Sequence, residues 1–236
     1  MTDQADGAGL ADGPVLSAST RKALTAPRSA AVAGIVFAVL LGTSLVLLRL
    51  SVPNNPADLD VTQLDGTDRR RILVALTLVP YAGIAFLWFI GVVRDRIGDA
   101  EDRFIATVFL GSGLLFLALL FVSTAVASAL VISTGSGQAT PDADVWILGG
   151  HISSTIMNVY AIRMAGVFMI STTTIALRAA VMPRWLAILG YLLAVGLLVG
   201  VGFLTWVELL FPAWVFVVSA YLLVAVRRAD RSTALR

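Results

Sequence analysis

Six long apolar runs restrict what this chain can become more than any other feature. They cover residues 29–50, 72–93, 104–133, 151–177, 185–206 and 208–226. Each is near or above the roughly 20 residues that a helix needs to cross a hydrocarbon core about 30 Å thick. Inside lipid the backbone has no water to bond to, so a crossing run closes its hydrogen bonds on itself as a helix. The expected fold is therefore an all-α membrane protein, a six-transmembrane-helix bundle. Composition agrees: 58% of residues are hydrophobic, 14% are charged, and mean hydropathy is +0.90. An ordinary soluble domain is roughly 45 to 50% apolar and about 25% charged.

The distribution of Arg and Lys sets an orientation. Arg21, Lys22 and Arg28 precede the first run, and Arg94, Arg96 and Arg103 lie between the second and third. Arg178 and Arg184 separate the fourth and fifth, and Arg227, Arg228, Arg231 and Arg236 follow the last. The opposite side has only Arg49 and the run Arg69, Arg70, Arg71, offset by Asp58, Asp60, Asp65 and Asp68. Both termini are thus expected on the cytoplasmic side of a plasma membrane. The expected organisation is a disordered cytoplasmic tail at 1–28, a six-helix transmembrane domain at 29–226, and a basic cytoplasmic tail at 227–236. The tail is acidic at first and the run after it exceeds a signal-peptide core, so the first helix is expected to stay as an anchor. The 94–103 loop alternates in sign and reads as a solvated connector.

Several chemistries are excluded or disfavoured by residue supply. There is no cysteine, hence no disulfide or thiolate metal site, and the single histidine rules out bis-histidine haem ligation within one subunit. Lys22 is the only lysine and lies in the tail, so no buried amine nucleophile is available. The scattered basic residues and a formal charge of +2 do not suggest nucleic acid as a partner. No paired carboxylates lie inside an apolar run, and no glycine-rich nucleotide loop is present. A rhomboid-type protease needs G-x-S-G, whereas Ser112 stands in Leu110, Gly111, Ser112, Gly113, without the first glycine. Enzymatic activity is therefore not expected, and neither a cofactor nor a metal is expected.

The candidate site lies in residues 151–178. This run holds the only histidine, His151, the one intramembrane asparagine, Asn158, and the only charge well inside an apolar run, Arg163. At 100° per residue, His151, Ser154, Thr155, Asn158, Ile162, Ala165, Gly166, Met169, Thr172 and Thr173 share a face that should point inward. The hydroxyls alone are explained as helix glue bonded to their own backbone. Arg163 is not: fifteen residues before Arg178, it sits about 22 Å up from the cytoplasmic edge. A charge there should pair, meet water or snorkel. Tyr81, thirteen residues before Arg94, comes to about 20 Å, and Glu208, nineteen before Arg227, to about 28 Å. Tyr81, Asn158, Arg163 and Glu208 are expected to line one polar pocket open to the outer face, with His151 at its mouth. Arg163 would pair with Glu208 or hold a bound anion.

Elsewhere, Thr140 before Pro141 and Asp142 marks the start of a short outer helix, and Gly149 and Gly150 should loosen the chain ahead of the fourth run. Pro80 is placed to kink the second. Gly196 and Gly200 form a GxxxG spacing suited to close helix packing. Trp88, Trp146, Trp185, Trp206 and Trp214 read as interfacial anchors. The stretch RAAVMPRWLAILG, residues 178–190, resembles a short cytoplasmic turn of small six-helix bacterial membrane proteins of unknown function. The resemblance covers that stretch alone, agrees with the preference for arginine over lysine, and implies a fold but no activity. Two roles remain open. In one, the bundle binds or transports a small amphipathic or anionic molecule through the outer pocket. In the other, it is a structural or accessory subunit, in contact with membrane lipid and with another membrane protein or further copies of itself.

Overall fold

Over the residues that the computed structural model describes, 18–51, 66–97, 103–133, 143–200 and 206–234, each apolar run forms helix. In chain order the elements are α1 (Ala18–Ser51), α2 (Gly66–Ile97), α3 (Arg103–Ser133), α4 (Ala143–Thr155), a π-turn (Ile156–Ala161), α5 (Ile162–Arg178), α6 (Arg184–Val199), a 3-10 turn (Val207–Leu209) and α7 (Leu210–Ala234). Five spans are long and apolar enough to cross a membrane, α4, the π-turn and α5 counting as one continuous span. The helix α6 has 16 residues and is shorter than the other spans. Its predicted continuation through residue 206 passes 201–205, outside the described residues. The helix α1 starts within the stretch read as a tail, and α7 continues into the basic C-terminal one. The cap at Thr140 also lies outside the described residues.

Neighbours run antiparallel, because each contact pairs the late part of one helix with the early part of the next. Ser44 of α1 donates to the Ala75 carbonyl of α2 at 2.8 Å, and Ser123 of α3 donates to the Ser153 carbonyl of α4 at 2.9 Å. The helices follow one another around a ring in sequence order, with α7 returning to pack along α1. The end where α1 and α3 finish is called distal below. α1 begins, and α7 finishes, at the opposite end.

At the centre, Phe37, Phe86, Phe89, Phe109, Phe116, Phe168 and Phe211 form one aromatic core drawn from α1, α2, α3, α5 and α7. Phe86 is its hub, with ring centroids 4.6 Å from Phe37, 5.1 Å from Phe168 and 5.5 Å from Phe116. Between helices in lipid there is little hydrophobic drive, so shape-matched dispersion contact has to hold the bundle. Tilted and edge-on rings supply it.

Local sequence explains two helix ends. The α5 helix stops in a Schellman arrangement, with Val181 N–H on the Ala176 carbonyl at 3.0 Å and Ala180 N–H on the Leu177 carbonyl at 3.1 Å. Ala180 takes φ 53° there, a conformation usually given to glycine, and Pro183 then opens α6. At the distal end Arg71 pairs with Asp68 at 3.0 Å, and Arg69 reaches the Val131 carbonyl in the last turn of α3 at 3.4 Å. Two members of the triple arginine that broke the charge pattern are thus engaged in capping and pairing.

Two sequence expectations are corrected here. Among the described residues no separate outer helix precedes the fourth run, since α4 leads from Ala143 into the π-turn without a break at Gly149 and Gly150. Nor are all five tryptophans anchors. Trp88, Trp185 and Trp206 are exposed, but Trp146 and Trp214 are buried by inter-helix packing.

Candidate functional site

One turn beyond the aromatic core, toward the distal end, the helices part around a cavity of about 390 Å3. Its walls are mostly aliphatic. Leu41, Leu45 and Leu48 come from α1, Ile72, Leu76 and Val79 from α2, and Leu120, Ala127 and Leu130 from α3. Trp146 packs with Ile72, Leu76 and Val131 in a small apolar cluster of its own at the distal side. This combination of apolar walls with few polar groups is the usual make-up of a small-molecule pocket, typically about 300 to 1,000 Å3.

The polar groups fall into two kinds. The hydroxyls on the wall are spoken for. Ser123 and Ser153 donate to each other's backbone carbonyls at 2.9 and 3.0 Å, Thr124 donates to Leu120 at 2.7 Å, and Ser154 donates to His151 at 3.1 Å. The glue reading of the serines and threonines therefore fits their geometry. The second kind is charged. Arg49, near the end of α1, donates through Nη2 to Oε1 of Glu208 in the 3-10 turn at 2.7 Å, and both residues line the cavity. Glu208 is 10% exposed and Arg49 24%. Two charges withdrawn from water this far need each other, which ties the distal ends of α1 and α7 together.

The π-turn decides which residues of the fourth span face this cavity. Ile162 N–H bonds the Met157 carbonyl, five residues back instead of four, so one extra residue is fitted into that turn. Counting back from the buried Ile162, the inner positions become Met157, Ser153, Gly150 and Trp146, all of which line the cavity. An unbroken 3.6-residue count gives Asn158, Ser154 or Thr155, and His151 instead. The sequence-derived face holds for α5, where Ile162, Ala165, Gly166, Met169, Thr172 and Thr173 are buried; ahead of it the face turns toward the earlier positions, so that Ser154 and Asn158 still line the cavity but His151 and Thr155 do not.

The five candidate residues are consequently not brought together. Asn158, in the π-turn, and Glu208 line the cavity. His151 and Thr155 turn outward and are exposed. Tyr81 is 60% exposed on the outer surface of α2. Arg163 is half-buried and donates to the Val159 carbonyl at 2.6 Å, four residues back within the widened turn. It is not among the cavity-lining residues, and the partner expected for it, Glu208, is held by Arg49. Arg163 thus satisfies itself on a backbone carbonyl, as side chains leaning toward the helix N-terminus can do. Sequence reasoning used Arg49 only as a topology marker. The available signal was complementary charge at one depth, since Arg49 closes the first run and Glu208 opens the last. Among the described residues no cluster of His, Asp or Glu suits a metal ion. No family model, curated protein or solved structure matches the chain.

Proposed function

We propose that this chain is a multi-pass protein of a bacterial plasma membrane that binds a small amphipathic molecule in the distal cavity and passes it into or across the membrane. The single observation that carries the reading is the cavity, whose mostly aliphatic walls are interrupted by the Arg49 and Glu208 pair and by Asn158. An amphiphile matches that division between an apolar body and a polar end. Six crossings with both termini cytoplasmic are part of this reading, supported by the arginine distribution and by α6 packing back along α5, where the Tyr191 and Thr174 hydroxyls meet at 2.8 Å. On that orientation the cavity lies toward the outer leaflet. The preference for arginine over lysine supports a bacterial source.

The test is native mass spectrometry of the protein extracted with its own lipids, beside an Ala127→Phe variant that fills the cavity. A small molecule bound in stoichiometric amount to the parent and lost from the variant is the expected result. Equal small-molecule content in both, or none in either, sinks the binding role. An extra protein chain in place of the small molecule would favour the accessory-subunit alternative.

A further inference from the structure

Five hydroxyls border the cavity, and Ser44, Ser123, Thr124, Ser153 and Ser154 each already donate to a backbone carbonyl. Two polar features are left for a ligand. The Asn158 carboxamide lines the cavity and makes no hydrogen bond among the described residues, although it offers both donors and an acceptor. Among the described residues the Arg49 and Glu208 pair meets through one nitrogen and one carboxylate oxygen, so further N–H groups and the second oxygen remain. Because the pair is internally balanced, the cavity presents no net charge. An anionic ligand would add an unbalanced negative charge beside Glu208, and a cationic one an unbalanced positive charge beside Arg49. In surroundings this apolar either is costly. A hydroxyl or amide, by contrast, can donate to the carboxylate and accept from the guanidinium or from Asn158 without disturbing the balance.

Resting on the ligand-site reading above, we infer that the cavity selects an electrically neutral amphiphile, with an aliphatic body against the leucine walls and an uncharged hydroxyl head bonded to Asn158. Trp146 lines the same cavity, which gives an optical readout. The experiment titrates the protein in lipid nanodiscs with ω-bromoundecanol and with ω-bromoundecyl sulfate, which share a chain and differ in head charge. Bromine quenches indole fluorescence on contact. Subtracting the titration of a Trp146→Phe variant isolates Trp146, and half-saturation is expressed per mole of nanodisc lipid to remove partitioning. The alcohol is expected to quench Trp146 at a concentration about tenfold or more below that of the sulfate. Asn158→Leu should raise the alcohol's half-saturation by about five- to tenfold, the worth of one net hydrogen bond. Sulfate binding as tightly as the alcohol overturns the neutral-ligand inference and leaves the site standing, and this comparison needs no variant at Asn158. An unchanged alcohol titration in Asn158→Leu overturns the assigned head contact. If neither probe quenches Trp146, the cavity is no amphiphile site and the reading beneath the inference falls with it.

Discussion

At the scale of single residues, the Arg49 and Glu208 pair has the most at stake. Removing one partner leaves a mostly buried charge unpaired, which costs about 3 to 5 kcal/mol in full burial and less where water reaches. Arg49→Leu leaves Glu208, 10% exposed, without its partner and should cost about 3 kcal/mol or more, and Arg49→Leu with Glu208→Leu together should recover most of the loss. Thermal unfolding of the three variants in one detergent checks this, and a double variant no better than the single would deny the pairing. Ala180 offers a gain instead. Its positive φ in the α5 cap is strained for any residue with a Cβ. Ala180→Gly is expected to stabilise the protein by about 1 kcal/mol, read as a higher Tm. The sequence lacks a glycine where the helix ends, so this cap was not legible beforehand. The turn itself was, from Arg178, Pro183 and Arg184.

At the scale of elements, the π-turn has the largest consequence. Apolar periodicity located the fourth span well, because burial of one helical face leaves a pattern at 3.6 residues. A one-residue insertion inside that span leaves almost no compositional trace, yet it shifts the facing positions of everything before it by about 100°. That is why His151 and Thr155, placed inward by an unbroken count, face outward, whereas Ser153 meets Ser123 with their Oγ atoms 3.1 Å apart. The natural absence of cysteine makes the register easy to test. Ser123→Cys combined with Ser153→Cys should cross-link under mild oxidation, while Ser123→Cys with Ser154→Cys should cross-link much less. The reverse preference would restore an unbroken α-helix and return His151 to the interior. Arg163 follows the π-turn, where the register is unchanged, and its place outside the cavity goes with the bond from its Nη1 to the Val159 carbonyl inside that turn.

At the scale of the whole molecule, small residues set how closely the helices approach. A Cβ on Gly190 of α6 would lie 2.7 Å from Thr173 Oγ1 of α5 and 3.0 Å from Trp214 Nε1 of α7, so this one glycine admits three helices to a common point. A Cβ on Gly42 would meet nothing within 4 Å. Gly190→Val should therefore destabilise the bundle by about 1 to 3 kcal/mol, the usual cost of overpacking. Gly42→Ala should be neutral or gain up to about 1 kcal/mol through helix propensity. Paired Tm measurements decide it, and equal effects at both sites would mean that α6 is not seated against α7 as described. The expected GxxxG in α6 gains no support at Gly196, where an added Cβ likewise meets nothing, and the close contact falls at Gly190.

The sequence by itself determined that the chain is helical and built of membrane-length spans, because each span's apolar length and internally closed backbone follow from lipid as a solvent, residue by residue. It also marked Asn158 and Glu208 as polar groups out of keeping with a lipid-facing surface. Only the tertiary structure decided which groups meet. Pairing Arg49 with Glu208, turning Tyr81 and His151 outward and opening a cavity above the phenylalanine core all depend on helix rotation and on the order of helices around the ring. Those are set by side-chain shape between distant segments and by one π-turn. A hydrophobic pattern, which records only how apolar each face is, carries neither.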